Sequence, residues 1–257
     1  MEETNYLPGA EPLFLEGSKI GCLLLHGAGG GTAWDLKEIA RYLHDQIGAT
    51  IWLPSLRGFG TKPEDLDNVS FSDWLNDARV GVDRLKTSCE KIILLGHSFG
   101  GLLALLLAAE NQSIGAVITW AGGYGIKDRR LSLLPYILKI PLLKRIIPEK
   151  FSMGQPEDLI KQGWIGYEWM PISMVFSISD GINTLKRSLA AVTCPSLIIQ
   201  GTLDNVVMKN SPTKIYQGIN STKKEIFLIE GAHHPLMQEE EFKQELFDKT
   251  LQFIKDL

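Results

Sequence analysis

Cysteine is scarce in this sequence: Cys22, Cys89 and Cys194 are the only three in 257 residues. Three thiols cannot all pair, and none stands in a Cys-x-x-Cys or Cys/His spacing. Neither a disulfide framework nor a zinc site is expected, and a reducing, cytoplasmic setting fits. A basic surplus is missing too: 26 lysines and arginines face 30 aspartates and glutamates, for a formal charge of −4. That argues against nucleic acid as a partner, because neutralising phosphates takes a basic surface. No apolar run is long enough to span a bilayer. The most apolar long stretch, residues 131–147, is broken by Pro135 and Pro141 and charged by Lys139, Lys144 and Arg145. Residues 1–17 are acidic, carry no lysine or arginine and hold no signal-length apolar run, so they read as a mature start.

What is present describes an ordinary globular chain, 44% hydrophobic and 22% charged. Surface scaling at this size buries nearly three quarters of the chain surface, so a single core needs no covalent staple. Continuous apolar runs of strand length fall at residues 21–25, 50–53, 92–95, 116–120, 196–200 and 226–229. Runs without alternation mark parallel strands covered on both faces. Between them lie helical patterns at residues 36–45 and 72–85, the second with Ser72 as its expected N-cap. This alternation implies an α/β fold with a doubly wound, mostly parallel sheet. It breaks once, between Trp120 and Ser196, where no clear strand is seen before a core helix near residues 183–191. The organisation expected is a core of residues 1–122 and 180–257 with a cap inserted at 123–179.

The strongest local signal is the run Ile92-Ile93-Leu94-Leu95 entering Gly96-His97-Ser98-Phe99-Gly100-Gly101 and then a small, apolar helix at 102–109. Strand, G-x-S-x-G, helix is the context that gives this pattern meaning: the tight turn needs its glycines and lifts Ser98 above the strand ends in a strained conformation. A serine hydroxyl needs a base and an orienting carboxylate. Asp204 directly follows a strand, where α/β sheets keep their sites. After the last strand comes Gly231-Ala232-His233-His234, and one of these two histidines is the expected base. His44 reads as a helix-end cation, His26 as a loop-packing group, and His97 as pointing away from the base. An oxyanion also needs donors. The N–H groups of Phe99 and, in the loop His26-Gly27-Ala28-Gly29-Gly30-Gly31, of Ala28 are the candidates. The same loop fails as a dinucleotide turn, because the third glycine of G-x-G-x-x-G falls on Thr32 or Trp34; no Gly-Lys-Ser/Thr follows either, so no cofactor is expected.

With these residues in place, the chain resembles the α/β-hydrolase superfamily, and within it the small bacterial carboxylesterases and monoacylglycerol lipases, from about residue 21 to the end. The resemblance rests on His26-Gly27, Arg57-Gly58-Phe59-Gly60, the Ser98 motif, Cys194-Pro195, Gly201-x-x-Asp204-x-x-Val207 and Gly231-Ala232-His233-His234. It implies Ser98 as nucleophile, His234 rather than His233 as base, Asp204 as its partner, and Ala28 and Phe99 as oxyanion donors. The implied reaction is hydrolysis of a small-molecule carboxylic ester, with a thioesterase, lactonase or carbon–carbon bond hydrolase on the same triad as alternatives. A non-catalytic ligand-binding relative would not need these three residues. The chain departs from many relatives at Ser55 and Phe59, expected beside the pocket. The leucines and isoleucines of 131–147, with Trp164, Tyr167, Trp169, Met170, Met174 and Phe176, are expected to line and close an acyl pocket for medium chains. Seven basic residues between Lys127 and Lys150 (Lys127, Arg129, Arg130, Lys139, Lys144, Arg145, Lys150) face only Asp128 and Glu149. That asymmetry suggests weak contact with an anionic membrane surface.

Overall fold

The computed structural model describes residues 4–28, 31–128, 149–152, 160–161 and 163–257. The expected acyl-lining stretch 131–147 and most of the basic cap face lie outside the described residues.

Seven strands form one sheet: β1 (Leu13–Leu15), β2 (Ile20–Leu25), β3 (Thr50–Leu53), β4 (Lys91–His97), β5 (Ala116–Trp120), and two more strands later in the chain. A separate two-stranded antiparallel pair, β6 (Lys150–Ser152) and β7 (Trp169–Pro171), lies where no strand is expected from sequence. The main sheet then closes with β8 (Ser196–Gly201) and β9 (Lys224–Ile229), in the order β1-β3-β2-β4-β5-β8-β9. Every pairing is parallel except β1 against β3. The six apolar runs are therefore all strands of the sheet. The missed strand, β1, is a half-exposed antiparallel edge, and its three residues carry no continuous apolar run.

Alternate side chains of each central strand enter opposite cores. Leu23, Leu25, Ile92, Leu94, Val117 and Ile198 belong to one; Cys22, Leu24, Ile93, Leu95, Ile118 and Ile199 belong to the other. That period of two with both faces apolar is why the strands read as continuous hydrophobic runs. The first core is covered by α2 (Phe71–Lys86), α3 (Phe99–Glu110), α4 (Ile172–Ser188) and α5 (Ser211–Gly218). The second is covered by α1 (Lys37–Ile47) and α6 (Glu240–Lys255).

Two boundaries differ from expectation. The N-cap of α2 is Ser70, not Ser72: its hydroxyl accepts from the Asp73 N–H while the Asp73 carboxylate accepts from the Ser70 N–H, a reciprocal capping box. The core helix expected near residues 183–191 begins eleven residues earlier, as α4, and finishes in a 3₁₀ turn at Leu189–Ala191. Phe71 packs so closely on Gly181 that a β-carbon there would collide with its ring, which ties α4 to the body of the fold.

Strand succession reverses at β2, whose neighbours are β3 on one side and β4 on the other. In parallel α/β sheets the loops at the carboxyl ends of such strands leave a crevice between them. Here those loops carry Ala28 and Ser98.

Candidate active site

Ser98 closes β4 and opens α3 with φ 53° and ψ −111°, a left-handed conformation that L side chains avoid. The surroundings over-determine it. The Ser98 N–H donates to the Trp120 carbonyl at 2.8 Å, and the Ser98 carbonyl accepts from Leu102 and Gly123. A β-carbon on Gly100 would strike the Leu25 carbonyl, and one on Gly96 would strike the Gly100 carbonyl, so both glycines of the motif are required by contact.

Asp204 and His234 come together because β8 and β9 are neighbours and the loops beyond them are laced. The Leu203 N–H donates to the Ala232 carbonyl at 3.0 Å, and the Gly231 N–H donates to the Thr202 hydroxyl at 3.0 Å. His234 Nδ1 then lies 2.9 Å from Asp204 Oδ2, and His234 Nε2 lies 3.0 Å from Ser98 Oγ. The other carboxylate oxygen, Asp204 Oδ1, accepts the N–H groups of Val206 and Val207 at 2.8 and 2.9 Å. Burial works to raise the Asp204 pKa, but the hydrogen bond and charge of His234 and the two backbone donors outweigh it and hold the carboxyl below its ordinary value. An ionised carboxylate only accepts, so Nδ1 carries the imidazole proton and Nε2 is free to accept from the serine hydroxyl.

His233 takes no part in this chain. It is half exposed, its backbone N–H donates to Glu239 Oε1 at 2.8 Å, and its Nδ1 faces Glu239 Oε2 at 3.2 Å.

The remaining histidines divide as follows. His26 is buried as a loop pin: its Nε2 accepts from the Leu56 N–H at 3.0 Å, which leaves Nδ1 as donor to the Gly27 carbonyl at 2.8 Å. His44 at the end of α1 bonds the Ala49 carbonyl. His97 departs from expectation. Its ring packs 5.0 Å from that of His234, and its Nε2 donates to the His234 carbonyl at 3.0 Å, so it lies against His234 instead of pointing away. Burial depresses the pKa of His97 to about 3 and that of His26 to about 4, and both rings are neutral.

Ser98 and His234 open onto a cavity of about 340 Å³, also lined by Ala28 and Phe99. Of the aromatic and methionine set expected to close it, Trp164 and Met170 line it. Tyr167 instead pins the loop after β3, its hydroxyl donating to the Gly58 carbonyl and accepting from the Thr61 N–H, each at 2.8 Å. Met174 is core, and Trp169 lies under the Lys150 ammonium at 3.7 Å. Phe59 and Ser55, expected beside the pocket, stand behind it: Phe59 is buried among His26, Trp74 and Tyr167, and the Ser55 hydroxyl donates to the Ala10 carbonyl. Sequence reasoning missed Val175, Ile178 and Ile182 on one side of α4, whose three- and four-residue spacing was a usable signal, and Asp35 and Gln238, which gave none.

A family model described as serine aminopeptidase, S33, matches residues 18–241. The chain belongs to this family. A thermostable monoacylglycerol lipase of Bacillus sp. (strain H-257) is 30% identical over 245 residues that make up 91% of this chain and 90% of that one. A carboxylesterase of Bacillus subtilis (strain 168) is 25% identical over 235 residues, 90% of this chain and 91% of the other. A solved structure from a study of LipS and LipT, two metagenome-derived lipolytic enzymes, superposes with a TM-score of 0.87 at 26% identity, over 98% of this chain and 100% of that one. The fold of this S33 member is that of the α/β-hydrolases.

Proposed function

We propose that the chain hydrolyses carboxylic esters of short to medium acyl chains through an acyl-enzyme on Ser98. The single observation carrying this reading is the continuous path Ser98 Oγ–His234 Nε2, 3.0 Å, and His234 Nδ1–Asp204 Oδ2, 2.9 Å, at the mouth of a mostly apolar cavity. Ser98 Oγ attacks the ester carbonyl as His234 Nε2 takes its proton, and the Ala28 and Phe99 N–H groups receive the oxyanion. The tetrahedral centre collapses, the carbon–oxygen bond to the alcohol breaks, and His234 returns the proton to the departing oxygen. A water then attacks the acyl group, giving its proton to His234, and the acid leaves as Ser98 regains its hydrogen. Asp204 holds the imidazole in the required tautomer and offsets its charge at each protonated stage.

Residues 123–179 form the cap in this reading, and the apolar wall above Ser98 takes the acyl chain. The names of the bacterial relatives, a monoacylglycerol lipase and a carboxylesterase, support ester over amide as the substrate. The test is hydrolysis of p-nitrophenyl butyrate and octanoate by the wild type and by Ser98→Ala. The expected result is turnover by the first and none above background by the second; equal rates would overturn the reading.

A further inference from the structure

The cavity at Ser98 is lined mainly by apolar side chains, with Asp35 and Gln238 among its few polar ones. On the α3 and α4 side it is built by Phe99, Leu102, Met170, Val175 and Ile182, continuous with or packed beside the first core. Asp35 lies in the 3₁₀ turn Ala33–Leu36 that leads into α1, and Gln238 lies four residues beyond His234. The Gln238 side-chain amide donates to the Asp35 backbone carbonyl at 3.0 Å, which fastens Asp35 to the segment carrying the base.

Asp35 is incompletely satisfied. The Thr32 backbone and the Trp164 side chain act on its carboxyl, yet Oδ1 is buried with no hydrogen-bond partner among the described residues. Buried polar atoms are nearly always paired, and an exception on the wall of a substrate cavity marks a place for a ligand atom. The leaving oxygen of an ester must lie within reach of His234 Nε2, and the bond from Gln238, four residues beyond His234, to Asp35 is the reason for assigning the alcohol half to this polar end and the acyl half to the apolar lining.

We propose that Asp35 selects the alcohol half of the substrate, accepting at Oδ1 a hydrogen bond from a free hydroxyl of a polyol ester. This rests on the ester-hydrolase reading above. A plain alkyl alcohol leaves Oδ1 unpaired, whereas a glycerol-type leaving group supplies the missing donor, and sites built around a substrate hydroxyl discriminate against analogues that lack it. Burial, only partly offset by Thr32 and Trp164, raises the carboxyl pKa to about 7, in keeping with a group short of donors.

The test compares kcat/KM for 1-monooctanoylglycerol and methyl octanoate at pH 8 in the wild type, Asp35→Leu and Asp35→Asn, alongside the rate of fluorophosphonate labelling. The wild type should favour the glycerol ester. In Asp35→Leu that preference should fall about tenfold or more, while methyl octanoate hydrolysis and labelling each change less than about threefold. Asp35→Asn keeps an oxygen toward Thr32 and Trp164 and guards against misfolding; it should fall between the two. An unchanged ratio in both variants, or an equal fall on both esters, overturns the role of Asp35 and leaves the ester reading standing. No hydrolysis of either ester by the wild type overturns the ester reading itself. Cleavage of L-aminoacyl p-nitroanilides that disappears in Asp35→Leu would assign the carboxylate to a substrate ammonium and overturn the hydroxyl proposal.

Discussion

His97 and His234, 137 residues apart, are joined by a 3.0 Å hydrogen bond from the His97 ring to the His234 backbone carbonyl. The turn carrying Ser98 thus holds the loop carrying His234 directly. His97 Nδ1 is left buried without a partner among the described residues, and a β-carbon on the facing Gly27 would come within 3.1 Å of it. His97→Ala leaves the His234 carbonyl with only the Leu236 N–H, at 2.9 Å, as its donor and loosens the His234 loop. Loss of such a bond costs about 0.5–1.5 kcal/mol, so kcat for a p-nitrophenyl ester should fall by up to roughly tenfold with KM little changed. His97→Gln, which retains an N–H donor, should lose less. Equal kcat in all three proteins would show that the loop holds itself.

The two adjacent histidines should separate cleanly. His234→Ala removes the group bonded to both Ser98 and Asp204 and should lower turnover by about three orders of magnitude or more. His233→Ala removes an exposed partner of Glu239 and should retain most activity. Ester assays on the two folded variants decide the register.

The apolar wall predicts the response to acyl length. Each methylene buried against Leu102, Val175 and Ile182 is worth up to about 0.8 kcal/mol, so kcat/KM should climb by up to roughly fourfold per methylene until the wall is covered. We expect the rise to end at medium chains. A flat profile from acetyl to decanoyl esters would mean that these side chains pack the protein instead of the substrate.

Stability should depend on pH with a sign set by three buried groups. His26 and His97 have folded pKa values of about 4 and 3, below an unfolded value near 6.5, so their contribution is present above pH 6.5 and is lost as pH falls. Asp35, raised from 3.8 to about 7, works the other way: its contribution is present below pH 3.8 and is lost as pH rises through 7. Between about pH 6.5 and 4 the unfolded chain therefore holds one more proton, net, than the folded one. Unfolding free energy should drop by roughly 1.4 kcal/mol per unit of acidification from these groups. Asp35→Asn removes the opposing group and should steepen the slope to about twice that. Urea titrations at pH 6.5, 5.5 and 4.5 on both proteins measure it, and parallel slopes would contradict the assignment.

Much of this architecture is legible in the sequence, because burying both faces of a parallel sheet forces unbroken apolar runs at β2, β3, β4, β5, β8 and β9. The glycines around Ser98 are legible for a similar reason: backbone contact admits nothing larger at Gly96 and Gly100. What escaped are features made by pairings distant in sequence. β1 is a strand only because β3 offers it an edge. The ring of His97 faces His234 only because β4 and the loop after β9 are brought together in space. Asp35 looks like any acidic residue in a first helical turn, and its missing partner is visible only once the cavity is built. The capping box at Ser70 and Asp73 was in plain view, two residues upstream of the serine expected to cap the helix.

The central claim is that Ser98 is the nucleophile, activated through His234. Treating the wild type, Ser98→Ala and His234→Ala with a fluorophosphonate and reading the intact mass tests it most directly. One adduct per wild-type chain, mapped to the peptide carrying Ser98, with none on Ser98→Ala and labelling slowed by at least about a hundredfold in His234→Ala, is the predicted result. An adduct on Ser98→Ala, or wild-type labelling at another serine, would contradict it.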